Sequence, residues 1–435
     1  MRFLHLADLH IGRKVNEFPM IDDQRFALQQ IVNLLKTSKP AIDAVLIAGD
    51  LYDKPTPSAE AVALVDWFLT QVAAAETACF VIPGNHDSAE RVGYAQHLLA
   101  KQNVYVAGTF SGSIPHIRMQ DEFGPIAFWL LPFVRPAAVR DYYPDEEIGT
   151  DYTRAINAAI KHEGVDFSER NVILAHQFVS FGNSKPETSD SELASVGGLD
   201  EVNSAVFDGF DYVALGHIHK SQSIGAPHTR YAGSLLKYSF SETNHKKKFP
   251  LVTLNQKGDI QVEFATINPL HDLREISGPL EELTKPAVVA AAPADDYLHV
   301  TLTDEHPIVD ALAQLRTAYP NIMTLDYQAT LDRSTTQSTL ENGVSNLDFN
   351  PEELFREFYG KQFGSPLTDL QDKTFTTALR TCLNVSANGS NNEALNVPGA
   401  ALSESDEEHA GEYDAETNAS VDGASIAVEN SMEVE

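Results

Sequence analysis

The sequence predicts an α/β fold, and three observations carry that expectation. Five short apolar runs, rich in β-branched and aromatic residues and bounded by turn signals, read as buried strands: FLHLADLH, AVLIAGD, CFVIPGNHD, NVILAHQ and YVALGHIH. Helical patterns at Asp23–Lys36 and Ser58–Ala75 lie between the early runs. Each run also breaks off at residues that bind metal: Asp8 and His10; Asp50; Asn85, His86 and Asp87; His176; His217 and His219. In open α/β sheets, ligands sit at the carboxyl ends of the strands. Asp, Asn and His gathered at five strand ends is the pattern of a metal centre.

The donor types narrow the metal. Two carboxylates, an amide oxygen and four imidazoles, with no thiolate, suit Mn, Fe(II) or Zn better than Ca, and argue against a structural cysteine-type zinc site. Seven candidate ligands (Asp8, His10, Asp50, Asn85, His176, His217 and His219) are too many for one ion, whereas two ions sharing a carboxylate would use them. Asp50, on a middle strand before a glycine-flanked turn, is the expected bridge. In Asp8-Leu9-His10 and His217-Ile218-His219 the polar residues are two apart. On an extended segment they would face the site together while Leu9 and Ile218 pack inward. Gly49, Gly84 and Gly216 precede ligands where the chain must turn and approach closely. Of the remaining histidines, His5 lies inside the first strand and reads as packed.

The other elements follow in order. Ala61, Val62, Leu64, Val65, Phe68, Leu69 and Val72 form an apolar helical stripe, suited to packing on a sheet. Arg230–Phe240, Phe249–Asn255 and Ile260–Ile267 read as further strands, closing a second sheet. Residues 1–266 thus form one catalytic α/β domain. A smaller unit, 267–328, reads strand, strand, helix, strand over Leu270–Ile276, Tyr297–Thr303, Val309–Ala318 and Ile322–Tyr327. Residues 329–350 are Thr/Ser/Asn-rich and read as a linker. In the segment 351–384, Leu354, Phe355, Phe358 and Tyr359 form an apolar helical face, followed by a second helix carrying Leu367, Leu370, Phe375, Leu379 and Leu383. Such a stripe on a tether marks a partner site. From 385 to 435 the chain is acidic, poor in aromatics, and expected to be disordered.

Composition sets further bounds. The chain has 435 residues, of which 43% are hydrophobic, enough for a sizeable core. No apolar stretch has bilayer-spanning length, and no signal peptide is apparent, so a cytoplasmic location is expected. The two cysteines, Cys79 and Cys382, are far apart and suggest no disulfide framework. The net charge is −31, and twelve of those excess negative charges lie between Ser386 and Glu435, leaving −19 on the body. Nucleic-acid binding draws on Lys and Arg against phosphate. Arg13, Lys14, Arg91, Arg135, Lys220 and Lys237 lie near the site motifs and are candidate DNA contacts, of which Arg13, Lys14, Arg91 and Lys220 are preferred. The acidity implies weak DNA binding by this chain alone and dependence on a partner.

The ordered series Asp8-x-His10, Gly49-Asp50-x-x-Asp53, Gly84-Asn85-His86-Asp87, His176, Gly216-His217-x-His219 resembles the calcineurin-like metallophosphoesterase superfamily. MRFLHLADLHIGR, AGDLYDKPTPS, YAGSLLKYSFSE and ELFREFYG resemble its branch of DNA nucleases that work with an SMC-like ATPase. The likeness runs from Met1 to about Asn384. It implies a two-sheet sandwich flanked by helices, a small α+β capping domain at 267–328, and a C-terminal helical segment at 351–384 that grips the base of the ATPase coiled coil. It implies a heterotetramer with two copies of each chain, and a homodimer face built from the Ser58–Ala75 helix and the Tyr94–Ala100 segment.

By the same resemblance, Asp8, His10 and His219 hold one divalent ion, most readily Mn²⁺, with Fe²⁺ or Zn²⁺ as alternatives. Asn85, His176 and His217 hold the other, and Asp50 bridges. His86 protonates the leaving oxygen or stabilises the transition state, Asp87 orients its ring, and Asp53 orients a ligand or a metal-bound water. The implied activity is exonuclease action on duplex ends and endonuclease action on single strands and hairpins, in DNA repair, recombination and replication. A phosphatase or small-molecule phosphodiesterase is the alternative. Phosphatases of the superfamily carry an Arg-containing turn and Gly-Asn-His-Glu where this chain has GDLYDKP and GNHD. A catalytically dead scaffold would lack ligands, and none is missing.

Overall fold

The computed structural model describes residues 1–192, 200–304, 306, 308–328, 355, 356, 359, 367, 368, 371–377 and 379. The expected linker at 329–350, the acidic tail at 385–435, and Leu354 and Phe358 lie outside the described residues. The chain divides into two units, 1–343 and 344–435.

In chain order, the elements that build the first unit's core are β1 (Arg2–Leu6), α1 (Ile21–Thr37), β2 (Ala44–Ala48), α2 (Ala59–Ala74), β3 (Ala78–Ile82), β4 (Val104–Val106), β5 (His116–Asp121), β6 (Gly124–Leu130), α3 (Tyr152–His162), β7 (Arg170–His176), β8 (Tyr212–Gly216), β9 (Gln222–Ile224), β10 (Ala226–Tyr231), β11 (Lys248–Leu254) and β12 (Ile260–Thr266). Two six-stranded sheets result, in the orders β12-β11-β1-β2-β3-β4 and β9-β10-β8-β7-β6-β5. Strands β1 to β4 run parallel, as do β6, β7, β8 and β10. All five runs that end in candidate ligands are therefore parallel strands buried between or beside neighbours. That arrangement explains their unbroken apolar character.

The sheets pack face to face through Phe3, Leu46, Phe80, Phe128, Val172, Tyr212 and Val252. Phe80 and Phe128 stack with ring centres 4.4 Å apart, and Phe3 meets the edges of Phe128 and Tyr212. His5 is buried in this layer, with Nδ1 3.0 Å from the Tyr212 hydroxyl, and burial lowers its pKa to about 3. On the outer face of the first sheet, α2 buries Ala61, Leu64, Val65, Phe68 and Val72 and leaves Val62 exposed. Ser58 caps this helix by accepting from the Ala61 N–H at 3.2 Å. Cys79 is buried and free, its thiol pushed up to about 12 by burial.

Two expectations are corrected. The run Arg230–Phe240 is a strand only to Tyr231 and is irregular beyond it. The strands β11 and β12 do not close the second sheet. They join the first, β11 pairing antiparallel with β1 through Arg2↔Thr253 and Leu4↔Leu251. Their alternation was legible, but the choice between two apolar edges depends on contacts between residues at opposite ends of the domain.

Beyond β12 lies a three-stranded parallel sheet, β13 (Leu273–Gly278), β14 (Tyr297–Leu302) and β15 (Ile322–Tyr327), with α4 (Ala311–Arg316) before the last strand. Two short helices, Leu280–Leu283 and Pro286–Val289, occupy the Ala-rich connection. Leu283, Leu298, Val300, Leu315 and Ile322 form a separate small core. This layer is tied to α1 at buried Asp23, which accepts from the Tyr297 hydroxyl at 2.8 Å and from the His271 N–H at 3.1 Å.

In the second unit, residues 371–377 are helical. Phe355 stacks on Phe375 with ring centres 3.7 Å apart, Arg356 pairs with Asp372 at 2.6 Å, and Gln371 donates to the Tyr359 hydroxyl at 3.2 Å. Phe355 and Tyr359, expected on a partner-facing stripe, thus spend part of their surface on their own unit.

Candidate metal centre

The strand ends deliver their polar residues through backbone pairing that continues past the sheet. Asp8 N–H donates to the Gly49 carbonyl at 3.0 Å, and His10 N–H to the Asp50 carbonyl at 2.9 Å. The expectation of an extended Asp8-x-His10 and His217-x-His219 is corrected. Asp8, His10, Asp50 and His217 have φ of 51°, 44°, 50° and 97°. Non-glycine residues in this region cost on the order of 1–3 kcal/mol each and persist where the surroundings over-determine them. Leu9 and Ile218 are fully buried, so the inward packing of the intervening residue holds although its backbone basis differs.

The glycines are set by contact. At Gly49, which has φ +91°, a Cβ would strike the His176 ring; at Gly84 it would strike the Asp50 carboxylate; at Gly216 it would strike the Ala48 carbonyl. Bare backbone lets the strand ends converge.

The donor atoms meet in one buried cluster. His10 Nε2 lies 3.1 Å from His219 Nε2. Asn85 Oδ1 lies 3.0 Å from both His176 Nε2 and His217 Nδ1. Asp50 Oδ2 sits between these groups, 3.7 Å from His10 Nε2 and 3.3 Å from His176 Nε2. The other Asp50 oxygen accepts from the His86 N–H at 2.9 Å. Asp8 accepts from the His217 N–H at 2.9 Å. Donor atoms of Asp8, His10 and His219, and likewise of Asp8, Asp50 and His176, fall within 4.8 Å of one another.

This set fits divalent ions. Two ring nitrogens 3.1 Å apart are at the spacing of neighbouring ligands on one ion with bonds of about 2.0–2.2 Å. Burial holds His10 well below the usual histidine range and His217 at about 3, so both offer lone pairs. Burial pulls His176 down as well, but the Asp50 carboxylate outweighs it and lifts the imidazole to about 9. Burial would raise Asp50, and the same pairing with His176 holds it far below the carboxylate range. Asp8, fully buried and near Asp50, is raised. An incoming ion displaces these protons.

His86 is half-buried beside the cluster, its ring centre 4.9 Å from that of His10. Asp87 does not orient it. The Asp87 carboxylate accepts three backbone N–H groups, from Leu51 (3.0 Å), Tyr52 (2.9 Å) and Gly84 (2.9 Å), and so fixes the turn. His86 Nδ1 instead lies 3.1 Å from the Asp53 carbonyl. That neighbouring residues seldom share a face in a tight turn explains the difference. Asp53 also places Oδ1 3.4 Å from Arg13.

Several candidate DNA contacts are engaged elsewhere. Arg13 pairs with Asp53 and lies over Tyr238, Lys220 pairs with Glu187, and Lys237 pairs with Asp272 at 2.8 Å. Lys14, Arg91 and Arg135 make no ion pair among the described residues and are exposed. Sequence reasoning missed Phe133 and Phe178, whose rings stand 6.4 Å from those of His176 and His217. It also missed the polar groups behind His219: Ser191, Glu192, Glu242 and Lys247. The segment YAGSLLKYSFSE carried part of the resemblance, but nothing in it marked Glu242 as buried.

The fold and the converging ligands define a calcineurin-like metallophosphoesterase, and the chain belongs to that family: residues 1–221 match the calcineurin-like phosphoesterase family. Residues 269–363 match the type 5 capsule protein repressor C-terminal domain family. The particular relative is SbcD, the nuclease chain of the SbcCD complex of Staphylococcus epidermidis (strain ATCC 12228 / FDA PCI 1200), 30% identical over 329 residues, covering 75% of this chain and 85% of that protein. The chain is thus a homologue of the SbcD nucleases, a phosphodiester-hydrolysing enzyme dependent on divalent metal.

Proposed function

We propose that this chain is the nuclease component of a complex with an SbcC-type SMC-like ATPase, cutting DNA at duplex ends, single strands and hairpins. The observation that supports it most is the cluster of seven donor side chains from five parallel strand ends, with His86 at its rim. Asp8, His10 and His219 would hold one ion and Asn85, His176 and His217 the other, with Asp50 between. When bound, two such ions clamp a scissile phosphate, lower the pKa of a bound water and offset charge on the leaving oxygen. Mn²⁺ is the proposed ion, and the N/O set also accepts Fe²⁺ or Zn²⁺.

The residues do the rest. The Asp53 carbonyl accepts the His86 Nδ1 proton, which leaves Nε2 free to give a proton to the leaving 3′ oxygen. Asp87 holds the turn that carries Asn85 and His86. Of the six candidate cations, Lys14, Arg91 and Arg135 are left to meet phosphate. So few on a body of charge −19 favour a DNA grip supplied largely by the ATPase. Exposed Val62, Tyr94 and Leu98 suit the proposed homodimer face. No helix among the described residues is long and apolar enough to cross a membrane, consistent with the proposed cytoplasmic location.

The test is a side-by-side assay of linear duplex, hairpin and bis-p-nitrophenyl phosphate with Mn²⁺, with and without the ATPase and ATP. Hairpin and end cutting is expected; phosphoprotein hydrolysis without DNA cleavage would overturn the reading. Leu354→Asp combined with Phe358→Asp is expected to abolish co-purification with the ATPase, and an intact complex refutes docking through 351–384.

A further inference from the structure

His219 is held at three points by groups outside the ligand set. Its N–H donates to Glu192 Oε1 at 2.6 Å, and its carbonyl accepts from Lys247 Nζ at 3.0 Å. Its Nδ1 lies 2.6 Å from Ser191 Oγ, which in turn donates to Glu242 Oε1 at 2.5 Å. Glu242 is fully buried, and Lys247 donates to its second oxygen at 2.5 Å and to Ser234 Oγ at 2.8 Å. The polarity of the chain is fixed at its far end. A carboxylate only accepts, so Ser191 must give it the hydroxyl proton. Ser191 Oγ then accepts from His219 Nδ1–H. That tautomer leaves the Nε2 lone pair facing His10 Nε2, 3.1 Å away. The other imidazoles of the cluster lack such a relay: His176 Nδ1 lies 2.8 Å from the Ala48 carbonyl, and His10 Nδ1 has no hydrogen-bond partner among the described residues.

We propose that Glu242, acting through Ser191, is the positioning residue that fixes the tautomer and orientation of His219 and so tunes one of the two ion sites and not the other. The proposal rests on the two-ion reading above. Outer partners of this kind typically change metal affinity by about 10–100-fold when removed. The device serves the site containing Asp8, His10 and His219, because nothing in it touches Asn85, His176 or His217. Glu242 lies in a segment with no regular structure beyond a single short turn at Phe240–Glu242, which explains why a buried carboxylate there left no periodic signal.

The experiment is calorimetric titration of the metal-free full-length chain with Mn²⁺, comparing wild type, Glu242→Gln and Ser191→Ala. Wild type is expected to take two ions tightly. Each variant should hold one as tightly as wild type and the other about 10–100-fold more weakly. Adding Asn85→Ala should remove the tight ion that remains, whereas adding His10→Ala should leave it. Two unchanged affinities, or equal weakening at both sites, would overturn the proposal, the second outcome marking a merely structural carboxylate. If Glu242→Gln does not fold, Ser191→Ala decides alone, since it removes a single hydroxyl. Absence of Mn²⁺ uptake by wild type would instead strike down the two-ion reading.

Discussion

The Asp50 carboxylate divides its two oxygens: one accepts the His86 N–H and the other stands between His10 and His176. The first contact ties the turn carrying His86 to the ligand set, and the side chain itself stays free for chemistry. His86→Ala should therefore retain metal and DNA binding and lose about 10²–10⁴-fold in turnover, the usual contribution of a positioned acid; wild-type cutting rates in that variant would remove the assignment. Gly84→Ala brings a methyl group against the carboxylate of Asp50. It should cost on the order of 1–3 kcal/mol in stability and weaken metal uptake, read by thermal melting and by titration. The ligand residues were legible one by one because each closes an apolar run. Their left-handed backbone was not, since Asp8, His10 and His217 carry no sequence mark of a positive φ. Nor did Asp87 show that its partners would be backbone amides of a turn 35 residues away.

Among the elements, the edge where β5 and β7 begin is stapled by Arg170, whose guanidinium donates to Asp121 at 2.5 and 3.0 Å and to the carbonyls of Gly124 and Asn255. Burial opposes ionisation of Asp121, but the Arg170 fork outweighs it and holds the carboxyl well below the usual range. A depressed folded pKa means that the stability is fully present above the unfolded value of about 3.9 and is lost as pH falls through the folded one. Melting temperature should fall as pH drops below about 4. Arg170→Met should be less stable at neutral pH and show a shallower acid limb; parallel acid limbs would refute the pairing. Strands and helices of the first unit were readable from apolar period, because α2 and the five buried runs obey it strictly. Sheet membership of β11 was not, since both sheets offer an apolar edge and only long-range pairing chooses.

At the scale of the molecule, ions that bind only the folded state raise its stability by mass action, by about 2.7 kcal/mol per site at 100 times the dissociation constant. Mn²⁺ should raise the melting temperature, and a chelator should reverse the gain; no shift at saturating Mn²⁺ would argue against the site. The class of fold was readable because the order of strand-end ligands is a property of the whole first half of the chain. The partner surface was less so, because Phe355 and Tyr359 also contact their own unit.

The pairing of β1 with β11 has a temporal side. On the ribosome, the flank of the very first strand stays open until residue 254 has emerged, long after its parallel neighbour is available. Contacts of such sequence separation slow folding and leave unpaired backbone exposed meanwhile. Nascent chains of this protein should thus lean on holding factors until that late strand has cleared the exit, and truncations ending before Lys248 should aggregate.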